Sequence, residues 1–357
     1  MVEGVCKNPN SSYIARIYTQ TIKKRIDIGA IRTKKTNLRN MLATIRRKYT
    51  SPKKLKIEEI AKPVPSENEV LVKVQATTVN RTDFTNLTAK PFIMRFFLGL
   101  IKPKKIILGT DFAGEVIAVD SNCKSYKIGD KVFGFNDSGA ESQAEYLTAT
   151  EEELFPIPED IEYKTAAASL EGAHYAYSFI HKVNIKSGQR VLINGATGGI
   201  GSALLQFVNQ YDVQITATRN TKNKALIKSL GVDKIYDFTK EDFTKDKKNY
   251  DFIFDAVGKS TFRKCKPLLK ESSIYISSEL GPKGQNAYLP LLTKWSGKKV
   301  IFPIPFDKSK TIPYISNLLG SEAFEPVIDR EYPLEDISEA YSYVISGQKT
   351  ANVIINI

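Results

Sequence analysis

At 357 residues the chain is long enough for two domains with sizeable cores. Its 42% apolar and 25% charged content is that of an ordinary globular protein. No apolar run reaches membrane-spanning length. Three scattered cysteines, Cys6, Cys123 and Cys265, exclude a disulfide scaffold or a Cys-x-x-Cys zinc knot and fit a reducing, cytoplasmic setting.

The net charge of +13 is lopsided, because residues 1–40 carry nine Lys or Arg against Glu3 and Asp27. This extension has no periodicity. It reads as an organelle-targeting segment, as a basic arm for an anionic partner, or as sequence upstream of a start at Met41; the last reading is favoured. Elsewhere the lysines are scattered, as on a solvated surface, and no aromatic and basic interleaving marks a nucleic-acid interface.

From Met41 to about Phe155 the texture is β-rich. Leu55 to Ile60 and Glu69 to Gln75 alternate as strands do, and Lys62 to Pro65 turns between them. Ile106 to Val119 predicts strands broken at Gly109 and Gly114, and Lys127 to Phe135 a turn and a strand. Pro91 to Lys105 is apolar and basic. It reads as a loop folded over the site, with contact to a membrane surface as the alternative. Thr165 to Val183 predicts one helix.

The pivotal stretch follows, RVLINGATGGIG at 190–201. Val191 to Ile193 has the length of a buried parallel strand, and Ser202 to Tyr211 has a helical apolar pattern. Between them lies A-x-G-x-x-G, with Ala196, Thr197, Gly198, Gly199, Ile200 and Gly201. Strand, glycine turn and helix in this order place a pyrophosphate against the helix N-terminus. Strands then alternate with helices: Val213 to Thr218, Lys222 to Leu230, Lys234 to Phe238, Tyr250 to Val257, Phe262 to Leu269 and Ser273 to Ser277. That alternation specifies a doubly wound parallel sheet. Lys298 to Phe306 reads as an edge strand, interrupted by Pro303 and Pro305. A helix over Leu334 to Ser346 and a last strand over Asn352 to Ile357 close the chain.

NAD-preferring sites carry an acid at the end of the second strand. Here that strand ends Thr218-Arg219-Asn220-Thr221-Lys222. Arg219 and Lys222 can neutralise a 2′-phosphate, with Thr218 and Asn220 as hydrogen-bond partners, so NADPH is the expected cofactor. Val257, Gly258, Ser277 and Ser278 end strands where a nicotinamide would lie. There is no G-x-S-x-G nucleophile elbow.

In order and spacing, EVLVKV at 69–74, VNRTD at 79–83, LGTDFAGEV at 108–116, KIGDKVFGF at 127–135, GATGGIG at 195–201, DAVG at 255–258 and the closing ANVIINI resemble the medium-chain dehydrogenase/reductase superfamily. The likeness is specifically to its zinc-independent quinone oxidoreductase branch. The resemblance covers Met41 to Ile357. It implies a GroES-like barrel over 41–160, a Rossmann domain over 161–322, a return to the barrel over 323–357, and residues 1–40 as an extension. It also implies hydride transfer to a quinone or an α,β-unsaturated carbonyl, and a possible homodimer formed through an edge strand. Zinc-dependent relatives place a cysteine where this chain has Asn80 and a His-Glu pair where it has Thr110-Asp111. Their third ligand falls near Glu171. Asn80 and Thr110 are poor zinc ligands, so no metal is expected. Asp83, Asp111 and Glu171 read as hydrogen-bonded carboxylates under the cofactor, with a hard-cation site as the alternative. Asn80, Asp83, Asp111, His174 and Tyr175 are the catalytic candidates, Asn80 as a donor to substrate and His174 or Tyr175 as proton donor. Phe238 falls where relatives often have a tyrosine packing by the adenosine, and Asn352 approaches the cofactor from the last strand. The alternative is a non-catalytic NADPH-binding protein that binds nucleic acid or a membrane surface.

Overall fold

The computed structural model describes residues 40–304 and 307–357. The expectations for residues 1–39, and for Pro305 and Phe306, lie outside the described residues. Of the described residues, 40–41 with 59–62 fall in one unit and 42–58 with 63–357 in a second. All the contacts described below lie within the second.

The first half of the chain supplies β1 (Asn40–Ile45), β2 (Lys56–Ala61), β3 (Glu69–Thr78), α1 (Arg81–Thr88), α2 (Met94–Leu98), β4 (Asp111–Val119), β5 (Lys131–Phe135), β6 (Tyr146–Thr150) and β7 (Phe155–Pro156). Then come α3 (Tyr163–Ala168), α4 (Glu171–Ile180), β8 (Arg190–Asn194), α5 (Gly199–Val208), β9 (Gln214–Arg219), α6 (Lys224–Ser229), β10 (Lys234–Asp237), β11 (Tyr250–Asp255) and α7 (Phe262–Cys265). The chain ends with β12 (Leu269–Ser277), α8 (Gln285–Leu292), β13 (Lys298–Ile301), α9 (Lys308–Gly320), β14 (Ile328–Pro333), α10 (Ile337–Ile345) and β15 (Asn352–Asn356).

Among the described residues, one sheet runs β14-β15-β3-β4-β5-β7, with β6 also on β3. Two stretches far apart in sequence build it, residues 69–156 and 328–356: β15 pairs antiparallel with β3, Ile354 opposite Thr78. The GroES-like sheet and the mid-chain nucleotide fold are therefore as the resemblance implies. The other large sheet is parallel, ordered β10-β9-β8-β11-β12-β13. Val191, Leu192 and Ile193 of its central β8 are fully buried because helices cover both faces. Strand order reverses between β8 and β11, and doubly wound sheets bind their ligands outside the strands' carboxyl ends at such a switch point. Leu204, Leu205, Phe207 and Val208 of α5 are buried against the sheet, as their spacing predicts. Among the described residues no helix is long and apolar enough to cross a membrane.

Several elements depart from the sequence reading. β4 runs unbroken through Gly114, because the pairing with β3 shifts register there and does not end. The expected single helix over 165–183 is two, α3 and α4. Ser169 turns its hydroxyl back on Ala166 O, and the break lets Gly172 press on the glycine loop. A Cβ at Gly172 would lie 2.7 Å from Gly199 C. β13 ends at Ile301, before Pro303. Pro313 stands inside helix α9 and masks its pattern in the sequence; Asp307 caps it by accepting from Ser309 N at 3.0 Å.

Candidate active site

The glycine turn joins β8 to α5 at the switch point. A Cβ at Gly201 would sit 2.1 Å from Gly195 O, so α5 packs against the turn at a distance only glycine allows. Gly198 differs. Its backbone is ordinary (φ −83°), and the nearest described atom to a Cβ there is Gly195 O at 3.5 Å. The fold itself does not require glycine at 198; room for an incoming group explains it. Gly199 through Gly201 open α5, so their N–H groups have no intrahelical acceptor, the arrangement that favours an anion at a helix N-terminus.

Polar side chains beneath the turn fix its shape. Thr218 Oγ1 accepts from Gly195 N at 2.9 Å and donates to Asn194 Oδ1 at 2.7 Å. Asn194 Nδ2 donates to Asp255 Oδ1 at 2.9 Å, which also accepts from Gly258 N at 2.9 Å and Val257 N at 3.2 Å. Thr218 is thus committed to the glycine turn and not to a phosphate partner's role. Ala196 is buried, and its N–H donates to Thr218 O. Thr197 O accepts from Ala351 N at 2.7 Å. Asn352 is buried and bonded to Val327 O, with its Oδ1 close over Gly199. Ile200 is half-buried. Ser277 is buried, and Ser278 Oγ at the end of β12 is buried without a partner.

At the end of β9 the expected cations are not idle. Arg219 pairs with Asp237 at 3.3 Å, with its side chain only 8% exposed, and also donates to Asn220 O. Asp237 accepts from the hydroxyls of Thr221 and Thr239, each at 2.6 Å. Those donors, with Arg219, hold its carboxyl down to about 2. Asp237 gives no signal along the sequence, because it lies on β10, opposite Arg219 only once the strands pair. Lys222 Nζ donates to Gln348 O at 2.6 Å. Asn220 Oδ1 is buried without a partner, and Phe238 is half exposed beside Asp237.

The barrel side brings Asn80, Asp83, Asp111 and Glu171 together. Asn80 precedes α1, and its N–H donates to Asp83 Oδ2 at 2.8 Å. Its Nδ2 donates to Thr78 Oγ1 at 2.7 Å and to Asp111 Oδ2 at 3.2 Å. Both amide hydrogens are engaged, so Asn80 positions Asp111 and has none left for a substrate. Thr78 Oγ1 donates to Asp111 Oδ1, and Thr82 Oγ1 to Glu171 Oε1. Burial pushes Asp111 up to about 7. Burial and the Asp111 charge push Glu171 up to about 8. Burial, with the charges of Asp111 and Glu171, raises Asp83 as well. Half-buried Lys349, from the turn before β15, is the cation whose field reaches Glu171, Asp83 and Asp111; burial lowers its own pKa. Lys349 carried no sequence signal, since only the return of the chain end brings it here.

His174 lies in the core. It packs on Phe135 and bonds through Nδ1 to Thr311 Oγ1 of α9 at 2.8 Å. Burial, helped by Lys308, holds it down to about 4, so it is neutral at physiological pH and badly placed as a proton donor. Tyr175 OH donates to Asp137 Oδ1 at 3.1 Å, and burial drives its pKa up.

A GroES-like sheet joined to a doubly wound sheet, with an open glycine turn at its switch point, defines an oxidoreductase that binds a nicotinamide nucleotide. Two family descriptions match: an alcohol dehydrogenase GroES-like domain over residues 66–159 and a zinc-binding dehydrogenase over residues 230–355. A 2-methylene-furan-3-one reductase of Solanum lycopersicum is 30% identical over 323 residues, 86% of this chain and 77% of that protein. A chloroplast envelope quinone oxidoreductase homolog of Arabidopsis thaliana is 27% identical over 310 residues, 83% of this chain and 92% of that one. The solved quinone oxidoreductase of Coxiella burnetii superposes with a TM-score of 0.80 at 24% identity, covering 89% of this chain and 99% of that one. The chain belongs to the medium-chain dehydrogenase/reductase superfamily, in its quinone oxidoreductase-like branch.

The zinc of many relatives does not fit this donor set. The corresponding positions offer an amide, a hydroxyl and two carboxylates, with neither thiolate nor imidazole. Asp111 is already bonded through both oxygens to Thr78 and Asn80. Among the described residues no three His, Cys, Asp or Glu side chains converge as metal ligands would.

Proposed function

We propose that this protein is a zinc-independent reductase that uses NADPH to reduce a quinone or an α,β-unsaturated carbonyl. Space over Gly198, beside a β9 that ends without a free acid, is the observation that carries the reading. Bound NADPH supplies the hydride; the protein binds, orients and handles the proton. The N–H groups of α5's first turn hold the pyrophosphate. Lys222 leaves Gln348 O to meet the 2′-phosphate, with Asn220 as a hydrogen-bond partner and Arg219 contributing from behind. Asp237 partly cancels Arg219, so the preference for NADPH over NADH is moderate. Val257, Gly258 and Ser278 line the crevice where the nicotinamide lies.

The acceptor class follows from the same residues. Without a metal to polarise an unactivated carbonyl, the site suits acceptors that are already electron-poor. The tomato relative's named substrate, a methylene group conjugated to a ketone, is of that kind. Asp111 and Glu171 hold protons near neutrality and form the proton store for the reduced product, with Lys349 setting their balance. His174 and Tyr175 support the pocket from behind.

We place the protein in the cytoplasm, or in an organelle should residues 1–40 act as a transit segment. A homodimer is proposed through edge strand β13, where α8 packs and Leu291, Leu292 and Trp295 stand exposed nearby. The test of the whole reading is NADPH oxidation with a simple quinone and an enone, with and without a metal chelator.

A further inference from the structure

The stretch from Phe84 to Thr110 contains no Asp or Glu. Within it, Phe92, Ile93, Phe96, Phe97, Leu100 and Ile101 are each more than half exposed, Ile101 to 88%. The sequence reading folds this loop over the site or sets it on a membrane surface; in the structure these side chains are exposed. Apolar side chains scattered singly on a surface are ordinary, but six within ten residues are not.

The tip is held out by a built base. Tyr49 OH donates to Gly99 O at 2.5 Å, and Arg95 lies over the Tyr49 ring at 4.9 Å. Leu98 and Pro103 are buried beneath, and Lys104 N closes the turn on Leu98 O at 2.8 Å. Arg46 clamps the loop's end through Lys105 O at 3.0 Å. Lys90, Lys102 and Lys104 stand exposed around the apolar tip, while Lys105 is engaged with Gly139 O at 2.6 Å.

We propose that this loop docks the protein on an anionic lipid surface, with the aromatic and aliphatic tip entering the headgroup boundary and the lysines meeting lipid phosphates. Charge complementarity selects this occupant. An apolar tip ringed by lysines, with no acid in 27 residues, suits a negatively charged interface. α2 has five residues and lies on such a surface without spanning it. The inference concerns binding alone and holds whatever the acceptor is.

The test is flotation of the full chain with phosphatidylcholine vesicles and with vesicles that also contain phosphatidylserine. The expected result is recovery with the anionic vesicles, at least about tenfold above phosphatidylcholine alone, weakening as salt rises. Phe97→Ser with Ile101→Ser lowers that binding about tenfold or more, and Lys102→Glu with Lys104→Glu does likewise. Both variants keep the thermal midpoint, because the side chains are exposed. Absence of vesicle binding overturns the proposal. So does binding that neither variant changes, which would assign it to the basic segment before residue 40. Self-association that Phe97→Ser with Ile101→Ser abolishes, without vesicle binding, makes a second copy the occupant and overturns it too.

Discussion

The nucleotide cradle and the carboxylate pocket are built differently. The cradle is backbone: a turn, the start of α5, and glycines whose missing side chains leave room. The pocket is side chains from four distant stretches, at Thr78 to Asp83, Asp111, Glu171 and Lys349. A backbone site tolerates charge changes and fails on added volume. A pocket of buried carboxylates tolerates isosteric change and responds to pH. That contrast sets the expected effects.

The largest effect is on the cradle. Gly201→Val drives a side chain into Gly195 O, and the protein loses about 3 kcal/mol or more of stability, read as a lowered unfolding midpoint. Gly198→Val meets open space, so the midpoint holds while NADPH affinity falls by about two orders of magnitude, measured by calorimetry. If both variants lose stability equally, the cradle at 198 serves the fold and not a ligand.

The carboxylate pocket gives the next effect. In the folded protein Asp111 and Glu171 keep protons to about 7 and about 8, whereas in the unfolded chain they release them near the ordinary carboxylate value of about 4. The stability they lend is therefore complete below about pH 4 and is lost progressively as pH rises from there through about 7 to 8, with a slope of up to about 1.4 kcal/mol per pH unit per proton. Asp111→Asn and Glu171→Gln flatten that fall in unfolding midpoints between about pH 4 and pH 8. An unchanged slope would show that the pocket is ionised already.

This difference also explains what could be read from the sequence. The glycine turn, its strand and its helix are contiguous, so their pattern is visible along the chain. Thr218 is visible in the sequence, but its bond to Gly195 N is not, because it depends on how β8 and β9 pair. Asp237 and Lys349 were missed for the same reason: strand pairing and the returning chain end bring them in. His174 looked chemical on its helix, yet α9, hidden by Pro313, supplies Thr311 and makes it part of the core.

The smallest effects are at the 2′-phosphate corner. Lys222→Ala lowers kcat/KM for NADPH about tenfold and leaves NADH nearly unchanged. Asp237→Asn frees Arg219 and sharpens the NADPH preference by a few fold. Equal losses with both nucleotides would remove Lys222 from that corner.

The most direct test compares NADPH and NADH oxidation by the unmodified protein, with a simple quinone and with an enone, before and after treatment with a metal chelator. Turnover with NADPH, weaker turnover with NADH and indifference to the chelator are the expected outcome. Tight NADPH binding without turnover on either acceptor, or activity lost to the chelator, would contradict the zinc-independent reductase.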